Sequence, residues 1–354
     1  MRTLIAVLAA MSAAAGAAAD TLVVLNKSDA TASLIDLTKG TAVATLPTGE
    51  APHEVDVSPD GRLALVANYG TRTAPGSTLT LIDVPGARVG RTVALGEHRR
   101  PHGVKWLDAR RAVVTAEASK ALLVVDVDAG RVVSAIPTGQ EVSHMVALTP
   151  DRKRAFVASI GSGTVTAIDL DQAKVAGVVA TGKGAEGIEV TPDGAQVWVT
   201  NREADTVSVL DARTLAIVAT LPSASFPIRA RVTPDGAWAL VSNAKTGDLA
   251  VFDVRQRKEA RRIKLQAKLR ATEGRLMTFG DSSVPIGVVV HPGGKRAWVA
   301  HANADVITML DLENWAAAGT LTAGREPDGM AYSPLEVKAS AAPARPAPVS
   351  QPTP

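Results

Sequence analysis

The chain has 354 residues, 46% of them hydrophobic, with a formal net charge of +3 and no cysteine. Without thiols it forms no disulfide, no Cys-ligated zinc or iron–sulfur site and no thiol nucleophile. So small a net charge, with only 5 Trp, 2 Tyr and 4 Phe, argues against a nucleic-acid partner that stacks bases on aromatic side chains.

In chain order, residues 1–19 come first and read as an export signal. Arg2 supplies the positive start, Leu4 to Met11 is a short apolar run, and Ala17-Ala18-Ala19 precede Asp20 as a cleavage pattern. That run is too short to cross a bilayer, and no later run approaches ~20 apolar residues. The mature protein is therefore expected in the periplasm or secreted, without a membrane span and as a monomer. At the other end, residues 336–354 form an Ala/Pro-rich tail with too few large apolar side chains to offset the entropy of ordering, and are expected to be disordered.

Between the two ends, residues 20–335 repeat. Ser58-Pro59-Asp60-Gly61 returns as Thr149-Pro150-Asp151, Thr191-Pro192-Asp193-Gly194, Thr233-Pro234-Asp235-Gly236, His291-Pro292-Gly293-Gly294 and, more weakly, Ser333-Pro334, with Leu107-Asp108 in the same slot. The basic interval is 42 residues, as from Thr149 to Thr191 to Thr233. Two longer intervals carry insertions near Thr71 to Ser77 and between Leu265 and Val284. Each unit holds four short runs of β-formers separated by turn residues, as in Gly187–Val190, Gln196–Thr200, Thr206–Leu210 and Ala216–Thr220. Four strands in about 42 residues is the pattern of a propeller blade. An Asp closes the third strand of each unit, at Asp36, Asp83, Asp126, Asp169, Asp211, Asp253 and Asp311, which predicts an all-β, seven-bladed β-propeller of four-stranded antiparallel blades. The first unit lacks its innermost strand and the chain end has one to spare near Asp328 to Tyr332. The C-terminal strand is therefore expected to complete the N-terminal blade and close the ring. The closing Asp residues read as turn caps.

Val197-Trp198-Val199-Thr200-Asn201 followed by Asp205-Thr206-Val207-Ser208-Val209-Leu210-Asp211 resembles the signature of the YVTN family of β-propeller repeats. Leu65-Val66-Ala67-Asn68 and Ala239-Leu240-Val241-Ser242-Asn243 are similar to it. The resemblance covers about residues 21 to 334. It implies the propeller fold, and relatives that include periplasmic proteins, lactonase-like propellers and proteins encoded beside redox enzymes, without selecting one activity.

Inner strands line the axis of a propeller, so equivalent positions form a ring. The residue at the head of each inner strand gives His53, His102, His144, Glu186, Ile228, Ile286 and Asp328. Asp328, His53, His102, His144 and Glu186 then fall on consecutive blades, and the two Ile form an apolar wall. A second layer, where the second strand ends, reads Asn26, Asn68, Glu117, Ser159, Asn201, Asn243 and His301. Asn is the turn-capping default there, so Glu117 and His301 depart from it.

Three readings of the ring follow. In the first, His53, His102 and His144, with His301 from the second layer, bind a transition metal (Zn, Cu or Fe), and Glu186 or Asp328 acts as a further ligand or general base. In the second, a metal-free pocket takes a small anion or lactone-like ligand, with Arg229, His301 and Glu117 adding contacts. The third is a water-filled channel with no chemistry. Either of the first two readings serves an exported binding module that could be accessory to a periplasmic redox partner. The metal ring also serves a metal-assisted hydrolase or an oxidoreductase, and the inert channel leaves an interaction scaffold. A ring at a solvated channel predicts that His102→Ala leaves stability nearly unchanged.

Other charged residues read as structural. His98, Arg99 and Arg100 lie in a loop, and His291 stands in an exposed turn. The basic stretch from Arg255 through Arg261 and Arg262 to Arg275 reads as a solvated outer edge that resists strand pairing. No nucleophile elbow, Walker loop, dinucleotide fingerprint or HExxH occurs.

Overall fold

The computed structural model describes residues 20–265, 267–270 and 279–338. Residues 1–19, read from the sequence as an export signal, residues 339–354 and part of the longer insertion lie outside the described residues. Those described form seven sheets of four antiparallel strands arranged in a ring, with two short 3-10 turns at Lys27–Asp29 and Glu117–Ser119. Blade five is typical: Ala185–Val190 is innermost, followed by Gln196–Asn201, Thr206–Asp211 and Ile217–Pro222 at the rim.

Burial falls from the axis outwards. The inner and middle strands are buried almost throughout, while the rim strands alternate, as in Lys174–Ala180. A middle strand is covered on both faces by neighbouring blades, and its continuous Val/Ile/Leu/Ala run reflects that. Each of the seven blade–blade contacts holds one apolar cluster. Trp106 fills the contact between blades two and three, Phe156 that between four and five, and Trp198 with Phe252 that between five and six. An eighth cluster, with Ile228 and Ile286 at its centre, sits at one mouth of the axis on blades six and seven.

The ring closes as the sequence predicts. Pro327–Ser333 pairs with Thr21–Asn26, in register Thr21↔Ser333, Leu22↔Tyr332 and Val23↔Ala331. The chain then continues along blade two, where Lys338 N donates to Pro85 O at 2.8 Å and Val337 packs against the apolar cluster.

All seven closing Asp residues accept backbone N–H groups of the turns they begin, for example Asp36 from Thr38 and Lys39, Asp126 from Ala129 and Asp253 from Gln256. His291 is half-buried rather than exposed. Its ring packs 5.0 Å from that of Tyr332, and Nε2 lies 3.5 Å from Asp20. On the basic edge, Arg261 lies over both Trp238 and Trp315, and Arg262 pairs with Asp248 and Glu259.

Candidate functional site

Two backbone features aim the ring side chains. The residue two before each ring position is left-handed in all seven blades: Ala51, Arg100, Val142, Gly184, Phe226, Val284 and Glu326 have φ between +46° and +73°. Directly after it, the pairing of first and second strands slips, as between Pro52 and Glu54, or Ser143 and Met145. Such a bulge turns a side chain out of the pleat, here toward the axis. In four blades the next residue is glycine (Gly103, Gly187, Gly287 and Gly329), which lets inner strands approach closely, and in the other three it is Glu54, Met145 or Arg229. A Cβ on Gly103 would stand 2.8 Å from His144 O, and one on Gly329 2.3 Å from His53 O.

The three histidines converge. The rings of His102 and His144 are 3.6 Å apart between centroids, and those of His53 and His102 5.0 Å. First and second strands run antiparallel, so the head of one meets the end of the other and the second layer opens on the same mouth. Glu117 is not itself the strand-end residue expected from the repeat, since Ala116 pairs with Pro101 there. One residue on, Glu117 reaches His144, with Oε1 2.5 Å from Nδ1, while its Oε2 accepts from Tyr69 Oη at 2.6 Å. His144 Nε2 lies 3.4 Å from Glu186 Oε1. Glu186 also receives Arg202 at 2.8 Å and Arg229 at 2.9 Å.

Arg229 then crosses the axis. Its Nη2 is 2.6 Å from Glu54 on blade two and 4.0 Å from Asp328 on blade one. The solvated channel expected from sequence is thus closed: His102 is 1% exposed, Glu186 3% and Arg229 4%.

The charges follow from this packing. Burial holds the His53 and His102 imidazoles well below their ordinary value, with neighbouring cations adding to the effect. On His144 burial works the same way, but the carboxylates of Glu117 and Glu186 outweigh it and its pKa is raised. Glu186 is pulled down to about 2, because His144, Arg202 and Arg229 overcome the burial that opposes its charge. Asp328 is pushed up to about 6 by burial, which Lys27 and Arg229 only partly offset. A depressed carboxylate contributes stability above its unfolded pKa and loses it as pH falls through the folded one. Stability on the order of 3 kcal/mol is therefore expected to disappear between about pH 4.5 and pH 2. Acid unfolding of Glu186→Gln should show a flatter limb across that window.

A family model described as a YNCE-like β-propeller matches residues 95–272, half of the chain. The chain belongs to the YNCE-like β-propeller family. The matched stretch carries His102, Glu117, His144, Glu186 and Arg229 of this family member. No curated protein matches the sequence. Among solved structures, a chain of Kuenenia stuttgartiensis hydrazine synthase is similar with a TM-score of 0.67 at 20% identity, covering 80% of this chain and 90% of that one, a likeness of fold alone.

Of the residues singled out by sequence, His102, His144 and Glu117 form one compact group, with ligand atoms within 4.8 Å of one another. His53 adjoins it through His102 but lies outside that group, its Nδ1 donating to Ala51 O at 2.8 Å. Glu186 and Asp328 stand on the Arg229 side. Two expectations need correction. Arg229 is not the open donor expected for a ligand, since four of its five N–H groups go to Glu54, Glu186 and Ile228 O and the remaining Nη2 N–H lies on the side of Asp328. His301 joins no cluster: Ser283 Oγ lies 2.7 Å from Nδ1 and Thr308 Oγ1 2.8 Å from Nε2. It does the work of the repeat's Asn, which bonds the hydroxyl seven residues on, as Asn26 does with Ser33 and Asn201 with Ser208. His301→Asn is accordingly expected to change stability by less than about 1 kcal/mol, and His301→Leu to cost about 1–3 kcal/mol by stranding two buried hydroxyls, as thermal unfolding would register.

Sequence reasoning missed Glu54, Tyr69, Arg202 and Lys27. The last three share a signal, since each directly follows the strand-end Asn of its blade. Lys27 reaches Glu326, Tyr69 reaches Glu117 and Arg202 reaches Glu186.

Proposed function

We propose that the chain is an exported propeller that holds a divalent transition metal at His102, Glu117 and His144, in one mouth of its axis. One observation carries the reading. Three buried ligand-bearing side chains converge there; His102 Nδ1 is buried without a hydrogen-bond partner, and His144 Nε2 has only the 3.4 Å approach of Glu186. Buried polar atoms left unpaired are costly and rare. Two imidazole nitrogens and a carboxylate suit zinc, copper or iron(II). The carboxylates of Glu117 and Glu186 favour a cation beside His144, a role that a proton or a metal ion can fill. Glu186, already clamped by Arg202 and Arg229, sets that field without needing to ligate.

A bound metal would supply Lewis acidity or electron exchange. Asp328, with its raised pKa, offers a proton acceptor in the same mouth, and Ile228 and Ile286 an apolar wall. Which metal binds separates the uses: zinc for holding or hydrolysing a small ligand, copper or iron for exchange with an exported redox partner. Export itself is supported by Arg2, the apolar run that follows and Ala17-Ala18-Ala19.

Elemental analysis of protein purified without chelators, followed by zinc titration, tests the reading. About one equivalent of metal is expected. Protein that is metal-free and takes up none of Zn²⁺, Cu²⁺ or Fe²⁺ would overturn it.

A further inference from the structure

The inner strands of blades two to five end, at the opposite mouth of the axis, on a cavity of about 290 Å³. We propose that this cavity binds a small organic monoanion, a carboxylate carried on an apolar body. Arg229 crosses the axis between the two mouths, so the cavity is a separate site and its occupancy does not depend on a metal.

Arg152, which lines the cavity, is the first observation. Its turn belongs to the Pro-containing set in which the equivalent residue is Gly61, Gly194, Gly236 or Gly294, with φ of +71° to +78°; Arg152 adopts the same left-handed conformation at +59°. Glycine does this without steric cost, whereas a side chain there is strained. Backbone strain retained where the repeat offers a relaxed alternative points to a use for the side chain. The Arg152 guanidinium makes no hydrogen bond or ion pair among the described residues.

Charge is the second. Lys105 pairs with Asp56 at 3.2 Å and Arg231 with Glu189 at 2.8 Å, and Asp56 is further held by Trp106 N at 2.9 Å. Arg231 stands outside the lining but takes up Glu189, and Lys105 takes up Asp56, so Arg152, an exposed side chain at the cavity's rim, is the lining charge left without a partner. A single negative charge balances it, and a carboxylate offers the fork geometry that a guanidinium matches. The rest of the lining, including Trp106, Leu148, Pro150 and Pro192, suits an apolar body. The volume lies at the small end of the range for small-molecule sites.

The test titrates hexanoate and benzoate into the full-length protein by ligand-observed NMR, with hexanol and benzyl alcohol as neutral counterparts. Arg152→Gly restores the residue the repeat uses, so its Tm should equal or exceed that of the parent. Both carboxylates are expected to bind the parent at least about tenfold more tightly than the alcohols, and Arg152→Gly to lose at least about tenfold in carboxylate affinity. Absence of carboxylate binding, equal binding of the alcohols, or unchanged affinity in Arg152→Gly would each overturn the proposal.

Discussion

His102→Ala is expected to lower zinc affinity by a factor on the order of a hundred or more, measured by competition with a chromogenic chelator. Loss of an outer partner of a metal-bound His already costs about 10–100-fold, and His102 is one of only two imidazoles in the group. It is also buried against His144, so the alanine variant loses packing as well and should unfold at a lower temperature. His102→Gln keeps most of the volume and removes the imidazole, so it separates the two effects. Zinc affinity should collapse in both variants, and Tm should fall mainly in the alanine one. A glutamine variant that binds zinc like the parent would show that the imidazole is structural.

Arg229→Met is expected to destabilise the fold by about 3–5 kcal/mol, read by denaturant unfolding at pH 7. The substitution leaves Glu54 and Glu186 buried at 5% and 3% exposure without the cation that lies between them. Uncompensated buried charge carries that order of cost, whereas removing both signs together is often neutral. Adding Glu54→Gln to Arg229→Met should therefore recover part of the loss. A single variant within about 1 kcal/mol of the parent would mean that water or the other cations of this mouth already neutralise both carboxylates.

Much of the site was legible in the repeat. The position at the head of each inner strand follows from the spacing of the turns, and it brought His53, His102 and His144 onto neighbouring blades before any coordinates. The repeat spacing puts Glu117 and His301 at the same strand end, but the register separates them. Pro285 pairs with His301 whereas Pro101 pairs with Ala116, so Glu117 stands one residue beyond, where Lys27, Tyr69 and Arg202 stand in their blades. The third strand offers His301 a hydroxyl at Thr308, and His301 stays with it. In blade three Ala116 stands at that place, and Glu117, just past the strand, turns to His144 and Tyr69. Such a distinction needs the register of three strands at once.

The amino-acid order by itself determined the number of blades, the closure of the ring and the layer in which the histidines lie. Those properties depend on turn chemistry and strand alternation, which act over a few residues and recur at a fixed interval. Only the tertiary structure decided that the axis is closed rather than water-filled, because the closing contact joins Arg229 to Glu54 from 175 positions away. A long side chain can reach any of several blades, and its destination is set by which buried charge lies within range once the ring has formed.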